Sequence, residues 1–261
     1  MPAVLYEVRN RIAYITLNRP EKMNAINPEL SSGLVQALTN VRQDPEVWAA
    51  IITGAGDRAF CAGADLIRME ERTSGDSASQ GRSEAANQDN LYQFIRHTYK
   101  PIIAAVNGYA LAAGAGIVLS SDIRILSERA QLGWPHAKRG IGSVSGPVLL
   151  AHLVPINKAM EIEFYADFLS AAKCLELGLA NAVVPHEELL AAATAAAEKI
   201  LTNSPTSLRT IKEAAIRGLD LPMEERIKLA TELNTRCMQS EDAKEGLRAF
   251  AEKRAPVWTG R

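Results

Sequence analysis

Pro101-Ile102-Ile103-Ala104-Ala105-Val106 runs directly into Asn107-Gly108-Tyr109-Ala110-Leu111-Ala112-Ala113-Gly114-Ala115-Gly116. The first six residues read as a short buried strand, apolar throughout and closed by an Asn-Gly turn signal. The residues after the turn are mostly glycine and alanine. Tight helix-on-sheet packing favours such residues, and so does a place where a ligand must approach the main chain. A strand that leads into a helix also leaves the first helical N–H groups unpaired and aimed at an anion. Ala59-Phe60-Cys61-Ala62-Gly63-Ala64-Asp65-Leu66, following the apolar run Ala49-Ala50-Ile51-Ile52-Thr53, repeats the arrangement. Two N–H groups converging from such segments would form an oxyanion hole. Spacing alone leaves the packing and oxyanion readings level.

Further strands are expected within Leu5–Leu17, broken by a turn at Asn10, and at Asp122-Ile123-Arg124-Ile125-Leu126. Asn27-Pro28-Glu29 is a helix start, with Asn as cap and Pro at the first helical position. Leu30, Leu34, Leu38 and Val41 follow at helical spacing. Short apolar runs alternating with helical patterns predict an α/β fold with a largely buried sheet. The polar, turn-rich stretch Thr73–Gly81 reads as a surface loop or a lid beside the candidate site, leading into a helix near Gln88–His97. After Pro155 alanine-rich helical patterns take over, with helices expected near 187–203, 205–217, 222–239 and 241–253. The predicted organisation is an α/β core over 1–200 and a helical region over 201–261.

The 261 residues are 47% hydrophobic and 23% charged, with 29 basic against 30 acidic side chains. That is globular composition, with no global charge to draw nucleic acid or an anionic membrane. Cys61, Cys174 and Cys237 form no C-x-x-C pair, which argues against a disulfide framework or zinc ribbon. The four histidines make no H-E-x-x-H or H-x-H cluster, so no metal is expected. Gly54-x-Gly56-x-x-Ala59 matches the dinucleotide fingerprint superficially, but no amphipathic helix opens within it. Ser143 and Ser145 lack the glycine spacing of a nucleophile elbow. The N-terminal residues, with Glu7, Arg9 and Arg11 among the apolar ones, do not read as a signal peptide, and no apolar run is long enough to span a bilayer. The expected location is cytoplasmic; a mitochondrial matrix form with its leader removed is the alternative.

Ala59-Phe60-Cys61-Ala62-Gly63-Ala64-Asp65 and Lys100 through Leu111 resemble the crotonase (enoyl-CoA hydratase/isomerase) superfamily. So do Asn18-Arg19-Pro20-Glu21-Lys22-Met23-Asn24-Ala25-Ile26 and Ala249-Phe250-Ala251-Glu252-Lys253-Arg254, in order along nearly the whole chain. The resemblance implies a crotonase-like spiral of ββα turns with a C-terminal helical trimerisation region, trimers commonly pairing into hexamers. It implies an acyl-CoA thioester substrate, with coenzyme A entering as part of that substrate and no separate cofactor. The main-chain N–H groups of Ala62 and Ala113 would hold the thioester oxygen, Ala113 standing where many members have glycine. Lys22, Ala25, Ile26, Ala64, Asp65, Leu66 and Gly114 would line the CoA arm, with Phe250 and Lys253 reaching it from a neighbouring helix.

The sequence departs from the family where hydratases carry two glutamates. The first position falls at Gly116 and the second at His136; a third, where some members place aspartate, falls at Val144. Standard hydration needs two positioned carboxylates, so isomerase, lyase or C–C hydrolase chemistry is expected instead. Histidine titrates near neutrality and suits general acid–base work, which makes His136 the leading catalytic candidate. The alternative is that His136 only hydrogen-bonds a loop carbonyl. Trp134 would wall the acyl pocket; Ser143, Ser145 and Tyr109 are weaker polar candidates. Asp65 is expected to order its own loop and Glu161 to face a helix–helix contact. Two readings of a different class are a non-catalytic acyl-CoA-binding member and an RNA-binding member, the latter disfavoured by the near-zero net charge.

Overall fold

The computed structural model describes residues 1–65 and 91–261. Leu66, the loop at 73–81 and the start of the helix expected near 88–97 lie outside the described residues; residues 91–96 are helical. Strands β1 (Val4–Arg9) and β2 (Ile12–Leu17) form a hairpin whose turn residues Asn10 and Arg11 are left-handed. Helix α1 (Pro28–Gln43) begins as its sequence requires: the Asn27 side chain accepts from the Leu30 N–H at 2.8 Å, and Leu30, Leu34, Leu38 and Val41 are buried.

From β3 onward each turn of chain places one strand in each of two sheets. Strands β3 (Ala49–Gly54), β5 (Ile102–Val106), β7 (Ile123–Ser127) and β10 (Ala182–Val184) extend the hairpin into a six-stranded sheet in the order β1-β2-β3-β5-β7-β10. The short strands β4 (Ala59–Cys61), β6 (Tyr109–Leu111), β8 (Gln131–Gly133) and β9 (Leu169–Ser170) make a second sheet in that order. The pairs β2-β3, β3-β5, β5-β7, β7-β10, β4-β6 and β6-β8 are parallel, which makes the spiral.

The inner strands β3 and β5 of the larger sheet are buried on both faces, and this is why they are apolar rather than alternating. Ile12, Ala49, Ile51, Ile103, Ala105 and Ile125 face helix α5 (Leu189–Leu201) through its Leu189, Ala193 and Ala197. The alternate residues Ile15, Ile52, Ala104 and Val106 face the main core with α1 and with α2 (Ala113–Ser120). Helix α3 (Ile156–Tyr165) packs against the turns at 137–139 and 146–150, and the short α4 (Ala171–Glu176) packs on β8 and β9 of the second sheet. Helices α6 (Pro205–Gly218), α7 (Met223–Met238) and α8 (Glu241–Glu252) follow, α8 packing against α6 and α7.

An ion pair between the buried Lys212 and the partly exposed Asp122 fastens this helical region to the sheet. Lys212 Nζ donates to Asp122 Oδ2 at 2.7 Å and to the Lys100 carbonyl at 3.1 Å, while Asp122 Oδ2 accepts from the Ile102 N–H. Burial pushes the Lys212 pKa down and the Asp122 pKa up, and each charge draws the other back.

Candidate active site

Two asparagines hold the loops at the C-terminal ends of β3 and β5. Asn107 Nδ2 donates to the carbonyls of Gly54, Gly56 and Ala59, and its Oδ1 accepts from the Gly54 N–H. Asn24, fully buried, donates to Ala55 and Ala59 carbonyls and accepts from the Arg19 N–H. Its turn is built on two left-handed residues, Met23 and Asn24. Arg19 donates to the Ala25 carbonyl at 2.6 Å and pairs with the Asp65 carboxylate at 3.4 Å, so Asp65 orders its own loop as expected.

Segments 62–65 and 112–116 meet because two glycines permit it. Gly63 has φ +91, and a Cβ there would lie 2.9 Å from both Ala112 Cβ and the Leu111 oxygen. A Cβ on Gly114 would lie 2.1 Å from the Cys61 oxygen. The N-terminus of α2 therefore sits directly against the chain leaving β4. Ala112, at φ 53 and ψ −115, turns the chain into the helix, and its N–H donates to the Gly133 oxygen at 2.8 Å. A non-glycine residue in such a conformation costs on the order of 1–3 kcal/mol. Ala113 itself has no positive φ, so alanine is accommodated there.

The structure corrects one of the two expected oxyanion donors. The Ala62 N–H is already engaged, donating to the Met23 carbonyl at 3.0 Å. Ala64 forms a parallel bridge with Ile26, in which Ile26 N–H donates to Gly63 and Asp65 N–H to Ile26. In that register the Ala64 N–H faces away from Ile26. Among the described residues the N–H groups of Ala64 and Ala113 have no protein partner. The amide left open in the first segment is thus that of Ala64, two residues on from the sequence expectation.

His136 lies on the loop after β8. Trp134, fully buried, donates through Nε1 to Ser145 Oγ at 3.0 Å, and Ser145 Oγ donates to the Ala112 carbonyl at 3.0 Å. This relay ties the His136 loop to the residue preceding Ala113. The His136 main-chain oxygen accepts from the Arg139 and Ile141 N–H groups, whereas its half-buried ring leaves a buried Nδ1 without a hydrogen-bond partner. The ring is therefore not held by a loop carbonyl through that nitrogen. Burial and then the Arg139 guanidinium lower its pKa below the ordinary 6.5, which leaves the imidazole neutral at pH 7.

Gly116 has no room for a larger residue. A Cβ there would lie 2.5 Å from Tyr92 Cε1, 2.6 Å from Tyr92 Cζ and 2.8 Å from Ser145 Cβ. Val144 is exposed and apolar. Of the weaker candidates, Ser145 is the structural relay just described and Ser143 Oγ donates to Glu163 Oε1 at 3.4 Å. Tyr109 stacks edge-on against Phe168 at 5.8 Å. Glu161 pairs with Lys158 at 2.6 Å on an exposed helix face, rather than at a helix–helix contact.

The structure gathers Ala25, Ile26, Ala64, Asp65, Ala113 and Gly114 around the amide pair, with Lys22 exposed on the adjoining turn Pro20–Lys22. It does not bring Phe250 or Lys253 there within one chain: Phe250 is 87% exposed and Lys253 ends α8. Sequence reasoning missed the packing of Tyr92 on Gly116, which stand 24 residues apart with no motif to link them. The Ala64 register was hidden for a related reason, since a backbone bridge to Ile26 has no side-chain signature. Among the described residues no group of three or more His, Cys, Asp or Glu side chains could hold a metal.

The enoyl-CoA hydratase/isomerase family model matches residues 7–261. The chain is 37% identical over 261 residues to the (E)-benzylidenesuccinyl-CoA hydratase of Thauera aromatica, covering all of both chains. It is 38% identical over 267 aligned positions to the carnitinyl-CoA dehydratase of Salmonella typhi, again over the full length of both. The crystal structure of an enoyl-CoA hydratase from Bacillus anthracis superposes with a TM-score of 0.93 at 31% identity, covering 99% of this chain and 100% of that one. The ββα spiral, the paired glycines at the two loops and these full-length matches together place the chain in the enoyl-CoA hydratase/isomerase family of the crotonase superfamily.

Proposed function

We propose that the protein binds an acyl-CoA with its thioester oxygen between the N–H groups of Ala64 and Ala113, and that His136 moves the proton. The supporting observation is the pair of unpartnered amides, one from each glycine-hinged segment, with the second segment tied to the His136 loop through Ser145 and Trp134. Two preorganised donors aimed at the oxygen acidify the α-carbon, each contributing roughly 3 kcal/mol at the transition state. Neutral His136 accepts a proton, and the enolate's negative charge rests on the oxygen.

The Gly116 and Val144 positions carry no carboxylate, and Tyr92 fills the space at Gly116. This favours isomerase, lyase or C–C hydrolase outcomes over hydration by a glutamate pair. A second reading is addition or removal of water by a different set of groups; the hydratase and dehydratase names of the full-length relatives favour it. Proton NMR on a panel of 2-enoyl-, 3-enoyl- and β-keto-acyl-CoA thioesters separates them. A double-bond shift or C–C cleavage supports the first reading, and a 3-hydroxyacyl product the second. Butyryl-CoA binding without turnover of any member would instead identify a non-catalytic acyl-CoA binder.

Phe250 and Lys253 are proposed to reach the CoA arm of a neighbouring copy in a homotrimer or pair of trimers, working in the cytoplasm. No helix among the described residues is long and apolar enough to cross a membrane.

A further inference from the structure

The relay from Trp134 through Ser145 ends on one particular peptide. Ser145 Oγ donates to the Ala112 carbonyl, and that carbonyl belongs to the same peptide unit as the Ala113 N–H. The peptide is trans, so the two groups point to opposite sides of one plane. The direction of the relay follows from its members. An indole N–H only donates and a carbonyl only accepts, so the single hydroxyl hydrogen of Ser145 goes to Ala112 while its oxygen receives Trp134, each at 3.0 Å. Ala112 is also the residue that turns the chain into α2 at φ 53, and both of its polar groups are held: the N–H by the Gly133 oxygen, the carbonyl by Ser145 and by the Gly116 N–H at 3.0 Å. Two glycines make room for this. A Cβ on Gly116 would lie 2.8 Å from Ser145 Cβ, so glycine there lets Ser145 reach the first turn of α2. The Glu163 carboxylate of α3 occupies the place of a Gly146 Cβ and accepts from Ser143 Oγ, which itself accepts from the Gly146 N–H at 3.3 Å. The turn that carries Ser145 is thus gripped by α3 on one side and by α2 on the other.

We infer that Ser145 is a positioning residue for thioester activation: it orients and polarises the Ala112–Ala113 peptide, which makes the Ala113 N–H a stronger donor to the thioester oxygen. A hydroxyl that only joined the loop to the helix could end on any carbonyl; this one ends on the peptide whose other end is an unpartnered amide. Trp134 and Ser145 are both buried, and hydrogen bonds aligned head to tail in such a place polarise one another. As negative charge gathers on the thioester oxygen, the pull passes from Trp134 through Ser145 to the Ala113 N–H. No proton changes owner along the relay. The stabilisation is largest where the oxygen is most negative, so it falls on kcat rather than on ground-state binding.

This inference rests on the acyl-CoA reading, and the test keeps the two apart. Wild type and Ser145→Ala are compared on the panel thioester that wild type turns over fastest. Each is also saturated with butyryl-CoA isotopically labelled at the thioester carbonyl, and the bound carbonyl stretch is read by difference infrared spectroscopy. In wild type that stretch should lie below its position in water. In Ser145→Ala the downshift should shrink, kcat should fall about tenfold and KM should change less than about twofold; loss of a whole donor costs more, roughly 100- to 1,000-fold. A kcat within about twofold of wild type, or a carbonyl stretch that stays where wild type has it, would overturn the role of Ser145 and leave the acyl-CoA reading intact. A wild-type stretch no lower than in water would overturn the amide pair and this inference together. Wild type that neither binds butyryl-CoA nor turns over any thioester would overturn the acyl-CoA reading itself. Should Ser145→Ala not fold, Ser145→Cys takes its place, its thiol being a weak donor of similar size, with the same readouts and the same expected directions.

Discussion

Burial and the Arg139 guanidinium both disfavour a proton on His136, burial the more strongly. A base of this kind works only when neutral, so kcat/KM should fall as the pH drops through a value below 6.5. Arg139→Gln removes the smaller of the two causes and should move that acid limb toward 6.5 without abolishing it; a limb that stays in place would separate it from His136. His136→Ala should lower kcat by about 100-fold or more if proton transfer limits turnover. The same depressed pKa bears on stability: below 6.5 the unfolded chain binds the His136 proton more readily than the folded one. Stability should therefore rise with pH through that window and level off above it. Gly63 is the other decisive residue. At φ +91, with Ala112 Cβ and the Leu111 oxygen 2.9 Å from any added Cβ, Gly63→Ala must separate the two amide-bearing segments. Thioester turnover should fall by more than tenfold, and thermal denaturation should show a loss of about 1–3 kcal/mol.

The elements that could be read from sequence were those with a side-chain pattern behind them. The capped α1 and the uniformly apolar β3 and β5 fall where the residues require. The last four helices lie within two residues of their expected limits, because Ser204-Pro205, Pro222 and Ser240 mark their starts. The short strands β4, β6, β8 and β9 were not legible, since two or three residues cannot show a period. Nor was the Ala62-to-Ala64 correction, which depends on which peptide faces Met23 and which faces Ile26. Between elements, the Lys212–Asp122 pair makes a firm prediction. Asp122→Ala leaves the buried Lys212 without its anion, and equilibrium urea unfolding should record a loss of about 3–5 kcal/mol. The double replacement Lys212→Met with Asp122→Asn should recover part of it, because no uncompensated charge is then buried.

At the scale of the whole molecule, the helical region α6–α8 leaves Ile211, Met223, Ile227, Leu247 and Phe250 more than half exposed in the single chain. Exposed apolar side chains of this kind are suited to burial against another copy of the chain. Sedimentation equilibrium should give three copies of the 28.3 kDa chain or a multiple of three, and a monomer at micromolar concentration would contradict the proposed assembly. The family and fold were legible because their motifs are spread along the whole chain, while the reaction was not, because Gly116 and His136 supply no carboxylate. The most direct measurement is a crystal structure with butyryl-CoA bound. The thioester oxygen should lie within about 3 Å of both the Ala64 and the Ala113 nitrogens, with His136 facing the α-carbon. A carbonyl turned away from both amides, with no peptide N–H in reach, would contradict the proposed chemistry at its root.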